Sequence, residues 1–443
     1  MKAILLVLTL VFFSLVLFSC KKDNPVESPS SEPPKTITLG LIDVSCTEAF
    51  IKVTVADSVL PLNISLTKDD SMITYFTLTK TDTVVIDTTL QPDKNYIYQT
   101  TATLMGNEEK SDTIQVKALN ITSDSYNWQI YMLGDINSGS SIIKKVKILN
   151  NNNLWAIGTI FLSDSAGQPD PYPYSLAIWN GISWKYKKFF YNNININSAT
   201  DIQILDSNNI FLTSGSIYRW DGASQNVQLE FSRLNFSNPN ATLENFWCNQ
   251  DSTIYCVGRA GAIAYFSSSH WHVLNTTTSL NLNDIYGYND ETTGEQIVLV
   301  AGGNILEGTQ RIILQIKDNQ VQEINPSGTM EYPLGSVWLD NNYKYFIAGP
   351  GFYSKYYNEN NWKQFPTPYY YIYSMRGNGL NDIVVTGGKG YVGHFNGVGW
   401  TNYIGNGLEE TSGNYYSTSI KGNTVAVAGD LAEGQAIVVI GKR

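Results

Sequence analysis

Seven times between Asn150 and Ile440 the chain ends a short apolar run with glycine, at Gly158, Gly215, Gly258, Gly302, Gly349, Gly387 and Gly429. Two residues earlier stands Ala156, Cys256, Val300, Ile347, Val385 or Val427, with Thr213 as the polar exception. The steps between glycines are 57, 43, 44, 47, 38 and 42 residues. A beat of roughly 40–50 residues means like units that stack to bury a common core, and it is the period of a four-stranded propeller blade.

The units can be read strand by strand. The first runs through Ile142–Leu149, Leu154–Ile157, Leu176–Trp179 and Trp184–Phe189, with Asn180 and Gly181 as the tight turn between the last two. That turn returns at Trp220, Asp221, Gly222 and at Phe395, Asn396, Gly397. Outer strands open on Trp184, Trp271, Trp362 and Trp400, and Val227 and Val321 stand in for tryptophan in two units. The seventh unit has only three strands (Tyr415–Ile420, Thr424–Ala428, Ala436–Ile440) before the chain ends. An unmatched segment, Trp128–Leu133, precedes the first unit. If it completes the last unit, the ring closes and no sheet edge stays open to aggregation. The expectation is all-β: seven blades over residues 121–443, closed by the strand at 128–133.

From Thr36 to about Asn120 short segments alternate apolar and polar residues, as at Phe50, Ile51, Val53 and Val55, which reads as strands of a sandwich. The run Leu90, Gln91, Pro92, Asp93, Lys94, Asn95, Tyr96, Ile97, Tyr98 resembles the L-x-P-x-x-x-Y-x-Y signature of fibronectin type III domains. That resemblance implies a module over residues 36–120, with Tyr96 as the tyrosine whose hydroxyl bonds back to the backbone at a sheet corner. The later units resemble a loose family of bacterial surface propellers that read "N-N-I-W-A-x-G … I-x-x-W-N-G-x-x-W". The resemblance implies a fold much more than an activity, since propellers host binders, hydrolases and lyases alike.

The first twenty residues bear on address. Lys2 and the apolar stretch Ala3–Phe18 have signal-peptide length, too short for a permanent span. The stretch ends Leu17, Phe18, Ser19, Cys20, which resembles the lipobox of bacterial lipoproteins and implies cleavage before a lipidated Cys20. Residues 21–35 are rich in Pro, Ser, Glu and Lys and read as a solvated tether. Two or three acyl chains suffice for stable anchoring. The expectation is a monomeric lipoprotein on the outer membrane or cell surface of a Gram-negative bacterium, Lys21 and Lys22 resembling exported lipoproteins of Bacteroidota-like species.

A net charge of −10 argues against nucleic acid, whose phosphates need a basic face. With Cys20 lipidated, Cys46, Cys248 and Cys256 remain, an odd number that excludes a dense disulfide scaffold. Cys248 and Cys256 flank a turn at Asp251–Thr253, so a cross-strand bridge or free buried thiols both fit. His270 and His272 flank Trp271 on alternate faces of one strand, which suits no single metal, and His394 reads as a surface or interblade residue. Asp206, Asp251, Asp340 and Asp382 recur between first and second strands and read as turn residues that bond their own backbone. No metal or cofactor is expected, and no nucleophile elbow or phosphate loop is present.

Tyrosine is unusually frequent, with 28 residues, and clusters at Tyr353, Tyr356 and Tyr357 and again at Tyr369, Tyr370, Tyr371 and Tyr373 after Pro366 and Pro368. Flat rings with a polar tip suit stacking on sugars or anchoring a protein, and they equally suit packing between blades. Tyr353, Tyr356, Tyr369, Tyr370, Tyr371 and Tyr373 are the candidate binding residues. The leading function is a noncatalytic, lipid-anchored binder of a protein or glycan. Its alternatives are a glycan-active enzyme (hydrolase, lyase or glucosyl transferase-like), which would need two carboxylates facing across a cleft, and an envelope assembly scaffold.

Overall fold

The computed structural model describes residues 36–443, apart from 250–252, 291–293, 307, 327–329 and 367–369. Cys20 and the signal and tether segments therefore lie outside the described residues, as do Tyr369 and Asp251. Within them the chain is almost wholly antiparallel sheet, and its only helical turns are the short 3-10 turns Asp57–Val59 and Arg233–Asn235.

The N-terminal region builds two sheets. One pairs Ile37–Val44, Ala49–Val55 and Asp82–Asp87; the other centres on Leu62–Lys68 and Asn95–Leu104. Alternation puts Ile51, Leu66, Tyr98 and Val116 into a core shared by both sheets. Tyr96 sits beside that core, and its hydroxyl accepts the Gln91 N–H at 2.8 Å, tying the strand to the corner before it.

After residue 126 the described chain forms seven four-stranded sheets, here called sectors, whose first strands are Ile142–Asn150, Asp201–Ile204, Thr242–Cys248, Leu282–Asn289, Ser336–Asn341, Ile372–Gly379 and Asn414–Lys421. Each first strand touches the next, and that of sector seven touches that of sector one, so they line the axis of a closed ring. In six sectors the four strands follow one another in the chain. In the seventh, Asn127–Leu133 supplies the outer strand, with Leu133 opposite Ala436 and Asn127 opposite Lys442. The closure is latched from both ends. His394 is fully buried, with Nδ1 2.6 Å from the Asp124 carboxylate and Nε2 2.8 Å from Asp382, which also receives Arg443 at 3.0 Å. His394 is thus an interblade residue with no surface exposure, because two carboxylates from different segments converge on it.

Six of the seven periodic glycines have a steric cause, and the seventh, Gly215, instead holds a left-handed φ of 74°. In five sectors the first strand carries an extra residue near its start, with register shifts that single out Lys144, Glu244, Asn283, Tyr373 and Tyr416. Such a bulge bends the strand and pushes the backbone before it toward the second strand. There a glycine stands: a Cβ on Gly258 would lie 1.9 Å from the Thr242 carbonyl oxygen, and one on Gly429 would lie 1.7 Å from that of Asn414. Sectors two and five repeat the two-against-one pattern at the strand's start, where the Thr200 N–H reaches the Thr213 carbonyl and the Gly335 N–H that of Ala348.

The N-terminal sheets dock onto sectors five and six. Phe50 is buried among Trp338, Phe346 and Ile383. Glu48 takes Lys344 at 2.5 Å and the Tyr356 hydroxyl, Asn341 donates to Asp43 at 2.6 Å, and Asn381 donates to the Asn120 carbonyl at 2.9 Å. Asn341, Lys344 and Asn381 all lie around first-to-second turns, at the ends of first strands. The docked face is therefore the one opposite the bulges.

Gly429→Ala and Gly258→Ala are each expected to cost about 3 kcal/mol or more, since backbone must move to admit the methyl. Gly399→Ala, where a Cβ meets nothing within 4 Å, should be near neutral. Chemical denaturation of the three variants checks the ranking.

Candidate site at the mouth of the ring

At the end of the ring where first strands begin, the axis opens into a cavity of about 1050 Å³. Its wall is built by one structural position taken from every sector: Lys144, Thr200, Glu244, Asn283, Gly335, Tyr373 and Tyr416. These are the extra residues of the two-against-one pairs, and a bulge re-aims its side chain out of the strand's ordinary alternation. The position holds seven residues of six kinds. A place fixed by backbone geometry and free in side chain suits the reading of a ligand.

The next residue in each first strand is polar without exception: Lys145, Asp201, Asn245, Asp284, Ser336, Ser374 and Ser417. All but Lys145 hydrogen-bond across to the neighbouring sector. Asp201 accepts the Phe246 N–H at 2.9 Å, Asn245 donates to the Asn283 carbonyl at 3.1 Å, and Asp284 accepts the Val337 N–H at 3.2 Å. Ser336 accepts Met375 N–H, Ser374 accepts Thr418 N–H and Ser417 accepts Val146 N–H, at 3.0, 3.1 and 3.1 Å. Lys147, 3.1 Å from Asp201, completes the girdle between sectors one and two.

Below the mouth the girdle is an ionic floor. Both guanidinium nitrogens of Arg376 meet Asp284, each at 2.8 Å. Burial works to raise the Asp284 carboxyl, but Arg376, with Lys145 and Ser336, holds the pKa below the ordinary 3.8. Three carboxylates at the mouth and floor are each paired: Asp284 with Arg376, Asp201 with Lys147, and Glu244 with Arg259 at 2.6 Å. On the wall, Tyr373 and Tyr416 pack edge to face with centroids 5.2 Å apart, and the Lys144 ammonium lies 4.9 Å from the Tyr416 ring. Burial pushes the Tyr416 hydroxyl up to about 12 and raises that of Tyr373, so both remain neutral donors at physiological pH.

The tyrosines singled out from the sequence do not gather on one surface. Tyr373 lines the mouth, and Tyr371, 4.9 Å from its ring, donates to the Pro333 carbonyl at 3.1 Å. Tyr370 stacks on the buried Tyr391 at 5.3 Å. Tyr353 is 3% exposed in the core between sectors four and five, where no ligand reaches its ring. Tyr356 faces the N-terminal sheets through Glu48, and Tyr357 packs on Tyr343. Cys46, Cys248 and Cys256 are free thiols; Cys256 lies opposite Phe246 and Cys248 opposite Ile254, so the two are not cross-strand partners. His272 stacks on Tyr265, and among the described residues no group of three or more His, Cys, Asp or Glu is placed to hold a metal.

Two of the recurrent aspartates depart from turn chemistry. Asp206 caps its turn, accepting the Asn208 and Asn209 N–H groups, whereas Asp382 is bound into the latch with His394 and Arg443. Asp340, at the docked face, is pushed up to about 7, first by burial and then by the charge of Asp43.

Sequence reasoning passed over Lys144, Lys145, Glu244, Arg259 and Tyr416. A usable signal was present: Lys144, Glu244, Gly335 and Tyr373 each stand 14 residues before a periodic glycine. No protein-family model matches the chain, and no curated protein matches it. Among solved structures it is similar to the WD40 β-propeller domain of Doa1, at 11% identity over 72% of this chain and 97% of that one, with a TM-score of 0.50. It is also similar to YCF48 bound to D1 peptide, at 12% identity over 73% and 99%, with a TM-score of 0.49, and to the RRP9 WD40 repeats, at 8% over 71% and 97%, with a TM-score of 0.49. The fold is that of a β-propeller, and at these identities the likeness is one of fold alone.

Asp340 supplies a pH test. Its folded pKa lies above the ordinary 3.8, so its contribution to stability is fully present below about pH 4 and is lost as pH rises through about 7. Asp340→Asn removes that loss. The variant should match the wild type near pH 4 and exceed it by about 1–2 kcal/mol at pH 8, discounting the full shift for partial solvent access. Urea titrations of both proteins at each pH check it.

Proposed function

We propose that this protein is a noncatalytic binding protein, held by a lipid on Cys20 to a bacterial outer membrane or cell surface. In this reading a fibronectin type III-like module, residues 36–120, carries a seven-bladed propeller, and the mouth of the propeller binds a protein or glycan partner. The observation that carries it is the ladder of seven varied residues at one bulge position around a cavity of about 1050 Å³. That volume is at the upper end of small-ligand sites, roughly 300–1,000 Å³, and admits a short chain of residues or sugars.

Binding is favoured over catalysis by the condition of the acids. A glycosidase needs two available carboxylates about 5–10 Å apart, one of them free to hold a proton near neutral pH. Asp201, Asp284 and Glu244 are each committed to a cation, and Asp284 is held below the ordinary range. Orientation supports the same reading. The module docks at the ends of first strands and the mouth lies at their starts, so a tether leading into the module at residue 36 leaves the mouth clear of it.

The full-length protein probed on peptide and glycan arrays should give discrete binders. Tyr373→Ala with Tyr416→Ala should lower their signal tenfold or more at an unchanged thermal midpoint. Ile182→Ser, at an exposed outer turn, should leave it alone. Binders indifferent to the double variant would move the site elsewhere, and product release from any polysaccharide would refute a noncatalytic role. For the anchor, Cys20→Ser should shift the protein from the membrane to the soluble fraction.

A further inference from the structure

The charges that face the mouth do not balance. On the floor, Asp284 is filled by Arg376, Ser336 and the Val337 N–H, and Asp201 by Lys147 with the Phe246 and Ile202 N–H groups. Lys145 is left short. Its side chain is 14% exposed, its ammonium donates to Asn245 Oδ1 at 2.8 Å, and Asp201 stands at 3.8 Å, beyond a hydrogen bond. An ammonium has three donors, and Asn245 takes one of them, so the group can accept an anionic partner from the cavity. Burial draws the Lys145 pKa down.

The rim has the same sign. Lys144, Arg233 and Arg259 line it, against Glu244, which is held by Arg259, and Asp430 near Lys144. Arg233 is exposed and has no ion-pair partner among the described residues. A cationic mouth on a chain of net charge −10 is a local feature with a local use. Leu306, on the rim, is 95% exposed, and Leu234, beside Arg233, is 79% exposed. Sugar hydroxyls gain nothing from bare aliphatic groups, whereas peptide side chains do. Tyr373 and Tyr416 meet at 61°, so they present no shared flat platform for a sugar ring.

Taking the mouth as the binding site proposed above, we infer that its ligand is an acidic peptide segment of a partner protein, one carboxylate descending to Lys145 while apolar neighbours cover Leu306 and Leu234. Lys144 and Arg233 flank the entering chain, and Tyr373 and Tyr416 offer it hydroxyl donors.

The test uses the full chain in detergent micelles and a fluorescent decapeptide of alternating Glu and Leu, with its Gln-for-Glu twin and oligogalacturonate as the other arms. The Glu peptide should bind at least tenfold tighter than the twin, and tighter than the sugar acid. Lys145→Met should weaken it tenfold or more. Because that variant touches the floor of the ring, the exposed pair Lys144→Gln with Arg233→Gln is a second probe, expected to weaken binding at least threefold and to flatten its salt dependence. Equal binding of the twin, no binding of the Glu peptide at millimolar concentration, indifference to both variants, or preference for oligogalacturonate would each overturn the assignment. A neutral array ligand that needs Tyr373 and Tyr416 would remove the acidic class and leave the mouth standing as a binding site.

Discussion

The ring depends on the polar girdle one residue past the bulges. First strands are too far apart around an axis to share a backbone ladder, so their inner ends need another means of satisfying N–H and C=O groups shielded from water. Asp201, Asn245, Asp284, Ser336, Ser374 and Ser417 provide it, each reaching the main chain of the next sector. Each such bond contributes about 1 kcal/mol net, but leaving its donor unmet would cost about 1–3 kcal/mol. Aliphatic residues at these positions would pack the axis and strand the amides.

The girdle also explains the mouth. Placing a short polar side chain against the neighbouring sector requires the strand to turn there, and the two-against-one pairing supplies the turn. The residue displaced by that turn lines the cavity over the axis. The backbone before it is driven against the second strand, where only hydrogen fits at Gly258 or Gly429. Glycine beat, girdle and ladder are thus three consequences of one local distortion repeated around the ring.

This coupling decides what was legible in the sequence. Six of the seven glycines are sterically compelled, so they recur and mark the repeat; the tryptophan that opens Trp128–Leu133 stands out because it has no sector of its own upstream. The ladder residues are free of that compulsion, and Lys144 and Tyr416 look like ordinary strand residues until the register is known. Tyrosine clusters misdirect for the converse reason: Tyr353 and Tyr370 crowd near each other in sequence because sectors need rings between them, with Tyr353 buried beside Trp362 and Tyr370 stacked on Tyr391. His394 was hidden by distance, its partner Asp124 lying 270 positions away.

The two faces of the ring carry opposite kinds of unfinished electrostatics. At the docked face the excess is acidic: Asp43 and Asp340 crowd together, both raised by burial, and Lys344 answers only Glu48. That face is covered by the N-terminal sheets, whose Phe50 is buried in an apolar cluster with sectors five and six. At the mouth the excess is cationic, and no part of the described chain covers it. A folded protein tolerates a partly satisfied charge where something else is gained from it, and the Lys145 ammonium, bonded to Asn245 at the foot of an open cavity, would gain from an arriving carboxylate. In the proposed complex the same Coulomb term that makes Lys145 costly to enclose would become a source of affinity, strengthened by the low dielectric of the floor.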